Sequence, residues 1–384
     1  MKIWLRMDER TFWLDLIHQA WKKKSVIWLN GVRRVGKTTL CKSLSIYECF
    51  DCELPKVRRL FEDAEAFFNS LSFDKPIVLD EIHRLPNPSE VLKIASDHFP
   101  KHRVIATGSS TLAASGKFRD TLTDRKTNLW LTPVLLTELQ TFHQNNLHRR
   151  MLHGGLPAFL LATELPENNY QDWVDDFWAK DVQELFRLER RYSFLRFMEL
   201  LLQQSSGIFE ATSFAAPCEV SRTTIQNYLS VLEATYVAHV LRPFNTRKTN
   251  EILSAPKVYG FDTGFVCFFK GWDSLRSDDH GLLWEHLVLN ELYGCIQRRN
   301  IHYWRNKQGY EIDFVIAKRG KSPIAIECKI KPGEVDIANF RSFRLNYPRG
   351  ENYVVSWNQE RSYSRQYGEI TIEFLSIDKL LSRV

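Results

Sequence analysis

The feature that most constrains this chain is a glycine-bounded loop that directly follows a short apolar run. Residues 26–30 read VIWLN, which is typical of a buried strand, and residues 31–38 read GVRRVGKT, the Walker A pattern. Gly31 and Gly36 let the backbone turn tightly, so that consecutive N–H groups point inward at a phosphate. The helix expected next would place its positive end against the same anion. This segment therefore predicts a phosphate-binding loop at the end of a strand.

The side chains of this loop indicate ATP and Mg²⁺ as its ligands. Lys37 is expected to reach the β and γ phosphates, and the Thr38 hydroxyl is expected to ligate Mg²⁺. Arg34 and Thr39 are the other side chains of the loop that we expect to contact the nucleotide, together with the two glycines.

A second apolar run predicts the other half of the same site. Residues 76–81 read PIVLDE, a strand of a parallel sheet that ends in two carboxylates. Asp80 is expected to hold Mg²⁺ through its water shell. Glu81 is expected to orient and deprotonate the water that attacks the γ-phosphate.

Length and composition bound the class of protein. The 384 residues predict two or three domains, which we place at 1–140, 141–250 and 251–384. No apolar run approaches the roughly 18 residues that cross a bilayer, and charges come too early for a secretory signal. The seven cysteines include one CxxC, Cys49 and Cys52, with no second pair to complete a zinc site. A cytoplasmic protein with reduced thiols and no membrane partner is expected.

The net charge of +6 is mild but clustered, since residues 298–365 carry 14 Lys and Arg against 7 Asp and Glu. Such a segment attracts phosphate backbones, although a solvated basic face would have the same composition. Side chains in and near it that could contact a phosphate backbone are Tyr303, Trp304, Arg305, Lys307, Arg341 and Arg344.

The middle of the chain is predicted to be helical. From Trp173 to Leu202 aromatic and aliphatic residues recur at helical spacing, which favours core packing. Further on, Ser221 is a good N-cap for a helix with Ile225 and Leu229 on its apolar face. Two short helices and a basic stretch at residues 242–248 resemble a winged helix. Its exposed face would carry Arg222, Thr223, Gln226 and Asn227, for DNA or for packing between domains.

A second cluster of chemistry is predicted near the C-terminal end. Asp313 lies in a strand, a turn follows at residues 318–321, and the next strand reads IAIECK at 324–329. Its alternation places Glu327 and Lys329 on one face, and Asp313 on the neighbouring strand can join them. Two carboxylates would supply Mg²⁺ ligands, while the lysine would steady a hydroxide and the charge growing on a phosphate. Glu285, on an amphipathic helix, could add a ligand.

These motifs resemble a prokaryotic family of AAA+ ATPases that carry a C-terminal domain of unknown function related to the PD-(D/E)XK nucleases. The resemblance rests on GVRRVGKT at 31–38, LDEIH at 79–83, ATGSS at 106–110, LTPVLLTE at 131–138, HGGLP at 153–157 and KVYGFDTG at 257–264, and covers nearly the whole chain. It implies an α/β fold with three parts: an AAA+ domain with a parallel sheet, a helical or winged-helix middle, and a restriction-endonuclease-like domain.

The resemblance also implies two further residues at the nucleotide site. Ser109, with Ser110 as the alternative, corresponds to a sensor of the γ-phosphate, and a helix N-cap is an equally good interpretation. Arg125, with Arg119 as the alternative, corresponds to an arginine finger that would act in a homo-oligomer. Asp124 stands where the family usually has glycine.

The function expected from these features is an ATPase coupled to a Mg²⁺-dependent nuclease-like domain that acts on DNA. The alternative is a nucleotide-dependent switch that binds a protein partner or DNA through a non-cleaving C-terminal domain. A DNA-binding regulator built on the winged helix would instead bind a sequence without needing Mg²⁺.

Overall fold

The computed structural model describes residues 10–108, 122, 124–246, 255–297, 300–357, 359 and 361–384. Strands in these ranges form sheets of five, three and six strands. The predicted sensor Ser109, its alternative Ser110 and the alternative finger Arg119 lie outside the described residues.

The N-terminal sheet is parallel throughout, as predicted. Its strands are β1 (Val26–Asn30), β2 (Glu48–Asp51), β3 (Ile77–Asp80), β4 (Val104–Thr107) and β5 (Lys126–Trp130), in the order β2-β3-β4-β1-β5. Every residue of β1, β3 and β4 is buried, because helices cover both faces of a parallel sheet. The helices are α1 (Thr11–Trp21), α2 (Lys37–Lys42), α3 (Pro55–Leu60), α4 (Ala64–Asn69) and α5 (Pro88–His98).

The middle of the chain is largely helical. It contains α6 (Leu147–His153), α7 (Pro157–Leu160), α8 (Glu167–Asp176), α9 (Glu184–Phe186), α10 (Arg191–Gln203), α11 (Ala211–Ala215), α12 (Arg222–Ala234) and α13 (Thr263–Lys270). A π-helical segment, Phe177–Gln183, joins α8 to α9. The aromatic residues of the predicted stripes, among them Trp173, Phe177 and Trp178, are buried in the core as expected.

A small antiparallel sheet completes the middle region. It consists of β6 (Gly207–Ile208), β7 (Ala238–Leu241) and β8 (Lys257–Gly260), in the order β6-β8-β7. Ser221 caps α12 by accepting the N–H of Thr224 at 3.1 Å, as predicted. Because β8 pairs with β7, this sheet crosses the boundary predicted at residue 250, which stays a prediction.

The C-terminal sheet is mixed. Its strands are β9 (Ile301–Arg305), β10 (Glu311–Ile316), β11 (Ile324–Lys329), β12 (Asn352–Ser356), β13 (Tyr363–Tyr367) and β14 (Ile370–Leu375), in the order β13-β14-β12-β11-β10-β9. The predicted hairpin of β10 and β11 is present. Helices α14 (Asp279–Ile296), α15 (Ile337–Asn346) and α16 (Ile377–Leu381) complete the domain, with α14 packed on one face of the sheet and α15 on the other.

Three of the residues predicted to contact a phosphate backbone are buried instead. Tyr303 and Trp304 belong to the core on either side of β9. Arg344 lies inside a turn, where its guanidinium donates to Asn352 Oδ1 at 2.7 Å and to backbone carbonyls. The guanidinium of Arg344 therefore stabilises the 347–351 turn. Because all three side chains are buried, the prediction that they contact a phosphate backbone was wrong.

Candidate nucleotide site and C-terminal carboxylate cluster

The loop between β1 and α2 has the tight turns that its glycines predicted. Gly31 and Gly36 adopt φ angles of +149° and +100°. A Cβ atom on Gly31 would lie 2.5 Å from the carbonyl oxygen of Leu131, so no larger residue fits there. Arg34, between them, also has a positive φ of 62°. The loop is therefore shaped by its backbone before any ligand is considered.

Lys37 lies at the end of this loop with its ammonium turned back on the loop itself. Its Nζ donates to the carbonyls of Gly31 at 2.9 Å and of Val32 at 3.2 Å. Burial lowers the pKa of Lys37, and the neighbouring carboxylates only partly offset this effect. Within the described ranges the ammonium contacts carbonyl oxygens and no carboxylate, so it is available to an anion in the loop.

A hydrogen-bonded chain of three side chains lies beside the loop. The Thr38 hydroxyl donates to Asp80 at 3.0 Å, and the hydroxyl of Thr107, at the end of β4, donates to the other carboxylate oxygen. Thr107 also accepts the backbone N–H of Glu81 at 3.3 Å. The predicted Mg²⁺ residues Thr38 and Asp80 are therefore adjacent. Thr107 was not predicted, although it stands at the end of the apolar strand next to the proposed sensor.

Glu81 follows directly on β3 in a left-handed backbone conformation with φ of 51°. Its Oε2 lies 3.1 Å from Nδ1 of His83. Burial raises the pKa of Glu81, but the His83 contact and the charge of Lys37 outweigh burial and give a net lowering. The carboxylate is thus held ionised near the loop, the state that a base requires.

The middle region supplies a further side of this site that the sequence did not indicate. Asp181, in the π-helical segment, is buried and bonds to the guanidinium of Arg33 in the loop. Asp176 bonds to Arg34 at 2.6 Å, and the indole N–H of Trp173 donates to the carbonyl of Arg33 at 3.1 Å. Irregular π-helical turns are frequent at functional sites. In the sequence, the only sign of this contact is an acidic residue, Asp181, directly after Lys180.

These residues enclose a cavity of about 460 Å³. It is lined by Arg33, Arg34, Gly36, Lys37, Thr38, Thr39, Asp51, Glu53, Asp80, Glu81, His83, Arg84, Lys180 and Asp181. Most predicted nucleotide residues therefore border one cavity. Arg125 does not border it: this residue lies directly before β5 and pairs with Asp97 at 2.7 Å. An arginine finger would act on the site of a neighbouring subunit and would not border the cavity of its own subunit. The role of Arg125 therefore stays a prediction.

The second predicted cluster is assembled on the β10–β11 hairpin. Phe314 pairs with Ile326, so the preceding and following residues, Asp313 and Glu327, face each other across the hairpin. Lys329 reaches Glu327 at 2.8 Å. Asp313 accepts the backbone N–H of Cys328 at 2.8 Å and lies where the register of β10 against β9 shifts. Such bulges re-aim side chains.

Glu285 meets a cation that the sequence did not predict. The ammonium of Lys257, on β8 of the middle sheet, lies 2.8 Å from Glu285 and 2.7 Å from Glu311. The Tyr259 hydroxyl donates to the same oxygen of Glu285. Burial alone would lower the pKa of Lys257, but the surrounding acidic groups raise it well above its ordinary value. The negative charge of Glu285 is therefore already paired with the ammonium of Lys257.

The remaining two carboxylates are poorly compensated. Burial raises the pKa of Glu327 to about 8, with Asp313 adding to the effect and Lys329 opposing it. Burial also raises the pKa of Asp313. The Glu327 side chain is 1% exposed, and its Oε1 is buried without a hydrogen-bond partner in the described part of the chain. An orphaned carboxylate oxygen of this kind is stabilised by a proton or by a cation.

Both predicted Mg²⁺ positions can be tested against this geometry. At the loop, one carboxylate and one hydroxyl are adjacent, the hard oxygen set that Mg²⁺ shares with a nucleotide's phosphates. On the hairpin, Asp313 and the orphaned oxygen of Glu327 also fit a cation. Across the residues that the structure describes, no three His, Cys, Asp or Glu side chains group so as to hold a metal ion. Either position would therefore need phosphate or water oxygens to complete the ligand shell.

Three family models match consecutive parts of the chain. Residues 23–140 match a model described as an AAA domain. Residues 144–276 and 280–378 match two models described as domains of unknown function, DUF8612 and DUF4143. The N-terminal part is therefore an AAA+ ATPase-like domain with a parallel α/β sheet. The match of the C-terminal part assigns it no activity, and nuclease chemistry there remains a hypothesis.

Two relatives and several solved structures also align with this chain. Two proteins named as uncharacterized, from Mycobacterium bovis and Mycobacterium tuberculosis, are 26% identical over 323 residues, 82% of this chain and 72% of each relative. A Thermotoga maritima RuvB variant aligns with a TM-score of 0.30 at 16% identity, covering 62% of this chain and 92% of that protein. A Pyrococcus horikoshii signal-transduction ATPase with a tetratricopeptide repeat sensor aligns with a TM-score of 0.27 at 12% identity. The alignment covers 73% of this chain and 46% of that protein.

Among the described residues, no helix combines the length and the apolar character that a bilayer crossing requires.

Proposed function

We propose that this chain binds ATP with Mg²⁺ at the 31–38 loop and hydrolyses it. The observation that carries the proposal is the Thr38–Asp80–Thr107 chain of hydrogen bonds beside the loop, with the Lys37 ammonium held by two carbonyls of the loop itself. In this arrangement Lys37 turns from the carbonyls of the loop to the phosphates. Thr38 and Asp80 would hold the ion, which would neutralise charge on the phosphates.

Glu81 is proposed as the base that orients the attacking water. Its lowered pKa keeps it ionised, and its left-handed backbone turns the side chain away from the strand toward the cavity. The water gives its proton to Glu81 as its oxygen bonds to the γ-phosphorus, and the bond to the bridging oxygen of ADP breaks.

Glu81→Gln tests this role. We expect ATP affinity within about threefold of wild type and a loss of at least 100-fold in kcat, the range of a catalytic base. Glu65→Gln, an exposed acid on α4, is the matched control. Unchanged phosphate release by Glu81→Gln would remove Glu81 from the mechanism while leaving ATP binding in place.

Occupancy of the loop is proposed to be reported to the middle region through Arg33 and Arg34. Both guanidiniums are paired with acids of the segment 176–181, and both border the cavity that the phosphates would enter. A nucleotide's phosphates compete for these arginines, so binding loosens the hold of Asp181 and Asp176. Sensing by Ser109 and a finger role for Arg125 in a homo-oligomer belong to the same proposal.

A second proposed function is Mg²⁺-dependent cleavage of DNA by the hairpin cluster. The buried, unpartnered oxygen of Glu327 favours it, because an ion shared with Asp313 would satisfy that oxygen. Lys329 is placed to steady the hydroxide and the charge that grows on the phosphate. The bond from hydroxide to phosphorus would form as the bond to one ester oxygen breaks, and that oxygen leaves with a proton from water.

The middle region offers a surface for the same DNA. The order α10, β6, α11, α12, β7, β8 is the order of elements in a winged helix. Arg222, Thr223, Gln226 and Asn227 are all exposed on α12, as the sequence had suggested. This exposure supports either DNA contact or packing against another protein.

One observation favours the alternative, a nucleotide-dependent switch that does not cleave. Lys257 already provides a cation to Glu285 and Glu311, at 2.8 and 2.7 Å, so one of the carboxylates expected to bind Mg²⁺ is taken. In that case the cluster joins the middle sheet to the C-terminal sheet and serves recognition.

Incubating the protein with linear, circular and single-stranded DNA, with Mg²⁺ or Mn²⁺ and with or without ATP, separates the two functions. Glu327→Ala is the test variant, and Glu351→Ala, also on the C-terminal domain, is the control. Cleavage that Glu327→Ala abolishes establishes the nuclease and shows whether ATP gates it. DNA binding or ATPase activity without cleavage establishes the switch.

A further inference from the structure

A further cavity lies where the three parts of the chain meet, away from the residues of both sites described above. Its volume is about 830 Å³. One side is formed by Trp130 at the end of β5, a second by β7 and the residues after it, and a third by β9 and the 317–319 turn. Cavities of this size are typical of small-molecule and cofactor sites.

The cavity is held in shape by pairing between the parts. The side chain of Gln297 accepts the N–H of Trp130 at 2.7 Å and donates to its carbonyl at 3.0 Å, as a strand would. On the other side, the N–H of Phe244 donates to the carbonyl of Tyr303 at 2.6 Å, and the N–H of Tyr303 donates to Arg242 at 3.3 Å. The backbone that carries Arg242 is therefore fixed against β9.

The rim of the cavity is cationic. Arg242, Lys318 and Arg319 are exposed there, and Glu233 is the one acid among the described residues that line the cavity. The Lys318 ammonium donates to the main-chain oxygen of Val384 at 2.7 Å. The guanidiniums of Arg242 and Arg319 form no ion pair with a carboxylate of the described ranges. Two guanidiniums without acidic partners at a cavity mouth attract a phosphate.

The interior of the cavity is aromatic. The rings of Trp130 and Tyr293 lie with centroids 4.5 Å apart, and His239 is 4.9 Å from Tyr293. Half-buried Phe244 and His302 also line the cavity, with ring centroids 5.9 Å apart. Flat rings on the walls with guanidiniums at the mouth match a ligand that has a planar base at one end and a phosphate at the other.

We propose that this cavity binds a nucleotide unit, with its base against the aromatic walls and its phosphate at Arg242 and Arg319. The unit is either a free nucleotide or one residue of a single strand, since both present the same chemistry. The site is separate from the 31–38 loop and requires neither ATP hydrolysis nor cleavage by the hairpin cluster. It gives the protein a second place for nucleotide chemistry, at the junction of its three parts.

Binding is measured in a Lys37→Ala background, which silences the loop, by fluorescence polarisation of a labelled ten-residue oligo-dT and of a labelled AMP. Arg242→Glu with Arg319→Glu is the test, and Lys23→Glu with Arg59→Glu, two exposed residues of the AAA+ domain, changes the net charge equally. We expect the test pair to weaken binding at least tenfold and the control pair to change it less than twofold. For the strand, the slope of log affinity against log salt should fall by about 0.7 for each lost phosphate contact.

The milder pair Arg242→Gln with Arg319→Gln keeps the test valid if the charge reversal prevents folding, which circular dichroism reports. It should weaken binding about threefold or more. Binding of AMP identifies a free nucleotide as the ligand, and binding of oligo-dT alone identifies a strand. The inference is overturned if the Lys37→Ala protein binds neither probe, or if test and control pairs lose equally. Either result leaves the ATPase proposal untouched, because that is measured with Lys37 in place.

Discussion

Two lysines in this molecule point into polar clusters and are held in opposite ways. Lys37 donates to two backbone carbonyls, at 2.9 and 3.2 Å, and burial lowers its pKa. Lys257 lies between two carboxylates, at 2.8 and 2.7 Å, and although burial opposes it, the acidic surroundings raise its pKa well above the ordinary value. Among the described residues, Lys257 makes direct ion pairs with carboxylates, whereas Lys37 has acids nearby without contacting one.

The difference separates a site that awaits a ligand from one that is complete. A buried cation without a counter-ion carries an unmet desolvation cost, which an incoming phosphate relieves. A buried cation that is paired with two carboxylates is part of the structure, and removing it leaves those carboxylates uncompensated. Replacing Lys37 is therefore expected to change ligand affinity more than stability. Replacing Lys257 is expected to change stability more than ligand affinity.

The sharpest test replaces each lysine by methionine. Lys257→Met should lower the free energy of unfolding of the C-terminal part by about 3–5 kcal/mol, since it strands Glu285 and Glu311. Lys37→Met should change stability by less than about 1 kcal/mol, because only carbonyl contacts are lost. Urea denaturation followed by circular dichroism measures both. Equal losses for the two variants would remove the distinction. Recovery of Lys257→Met stability by Mn²⁺ would show that a metal can replace the ammonium.

The next largest effect concerns ligand affinity. Lys37→Ala should weaken ATP binding by at least 100-fold, about 2.7 kcal/mol, because the phosphates lose their main cation. Lys257→Met should bind ATP within about threefold of wild type wherever the protein remains folded, because its charge is already paired. A labelled ATP titrated into each protein measures this. Retained affinity in Lys37→Ala would contradict the assignment of the loop.

Local motifs explain how much of the nucleotide site was predictable. The loop follows β1, Asp80 ends β3 and Glu81 comes next. Since β1 and β3 both pair with β4, the ends of these three strands lie close together. Thr107 also ends such a strand. Asp181 could not be identified in this way. It reaches Arg33 from 148 residues away along the chain, through a π-helical turn that hydrophobic periodicity does not encode.

The hairpin cluster was predicted in part for the same reason. Asp313, Glu327 and Lys329 lie on one hairpin, so a spacing of two residues and one turn were enough to bring them together. Lys257 belongs to a different sheet and meets Glu285 only after the middle region docks on the C-terminal domain. Its charge changes the chemistry of the cluster, and nothing near position 257 in the sequence signals that partnership.

The hairpin carboxylates are buried with few compensating contacts, so we expect their contribution to stability to depend on pH. Burial raises the pKa of Glu327 to about 8, whereas in the unfolded chain it returns to about 4.3. Between these values the folded state binds one more proton than the unfolded state. Stability therefore falls as pH rises, by up to about 1.4 kcal/mol per pH unit for this group. The stabilisation that comes from protonated Glu327 is fully present only below about pH 4.

Glu327→Gln should remove that share of the slope in urea midpoints measured from pH 5 to pH 8. Burial also raises the pKa of Glu291 to about 8, so Glu291→Gln should remove a similar share and serves as the matched variant. Adding Mg²⁺ separates the two positions. If the ion replaces the proton at Glu327, Mg²⁺ should flatten the pH dependence of wild-type stability. It should leave the contribution of Glu291 unchanged, because that carboxyl lies outside the hairpin and accepts the N–H of Leu136. A wild-type slope that Glu327→Gln leaves unchanged would show that this carboxyl is ionised in the folded protein.

The smallest expected effect lies at the contact between the loop and the middle region. Asp181 is buried, pairs with Arg33 and faces the cavity that the phosphates would enter, so its charge both occupies a cation and repels the ligand. Burial raises its pKa, with Arg33 opposing, so a nucleotide can displace it at modest cost. Asp181→Asn should therefore tighten ATP binding by about three- to tenfold, under roughly 1.4 kcal/mol. Asp176→Asn is the control: its pair with Arg34 is more exposed and is screened by solvent, so it should change affinity less than twofold. Weaker binding in Asp181→Asn would mean instead that this carboxylate helps to hold the ligand or its ion. The loop would then be completed by the middle region rather than restrained by it.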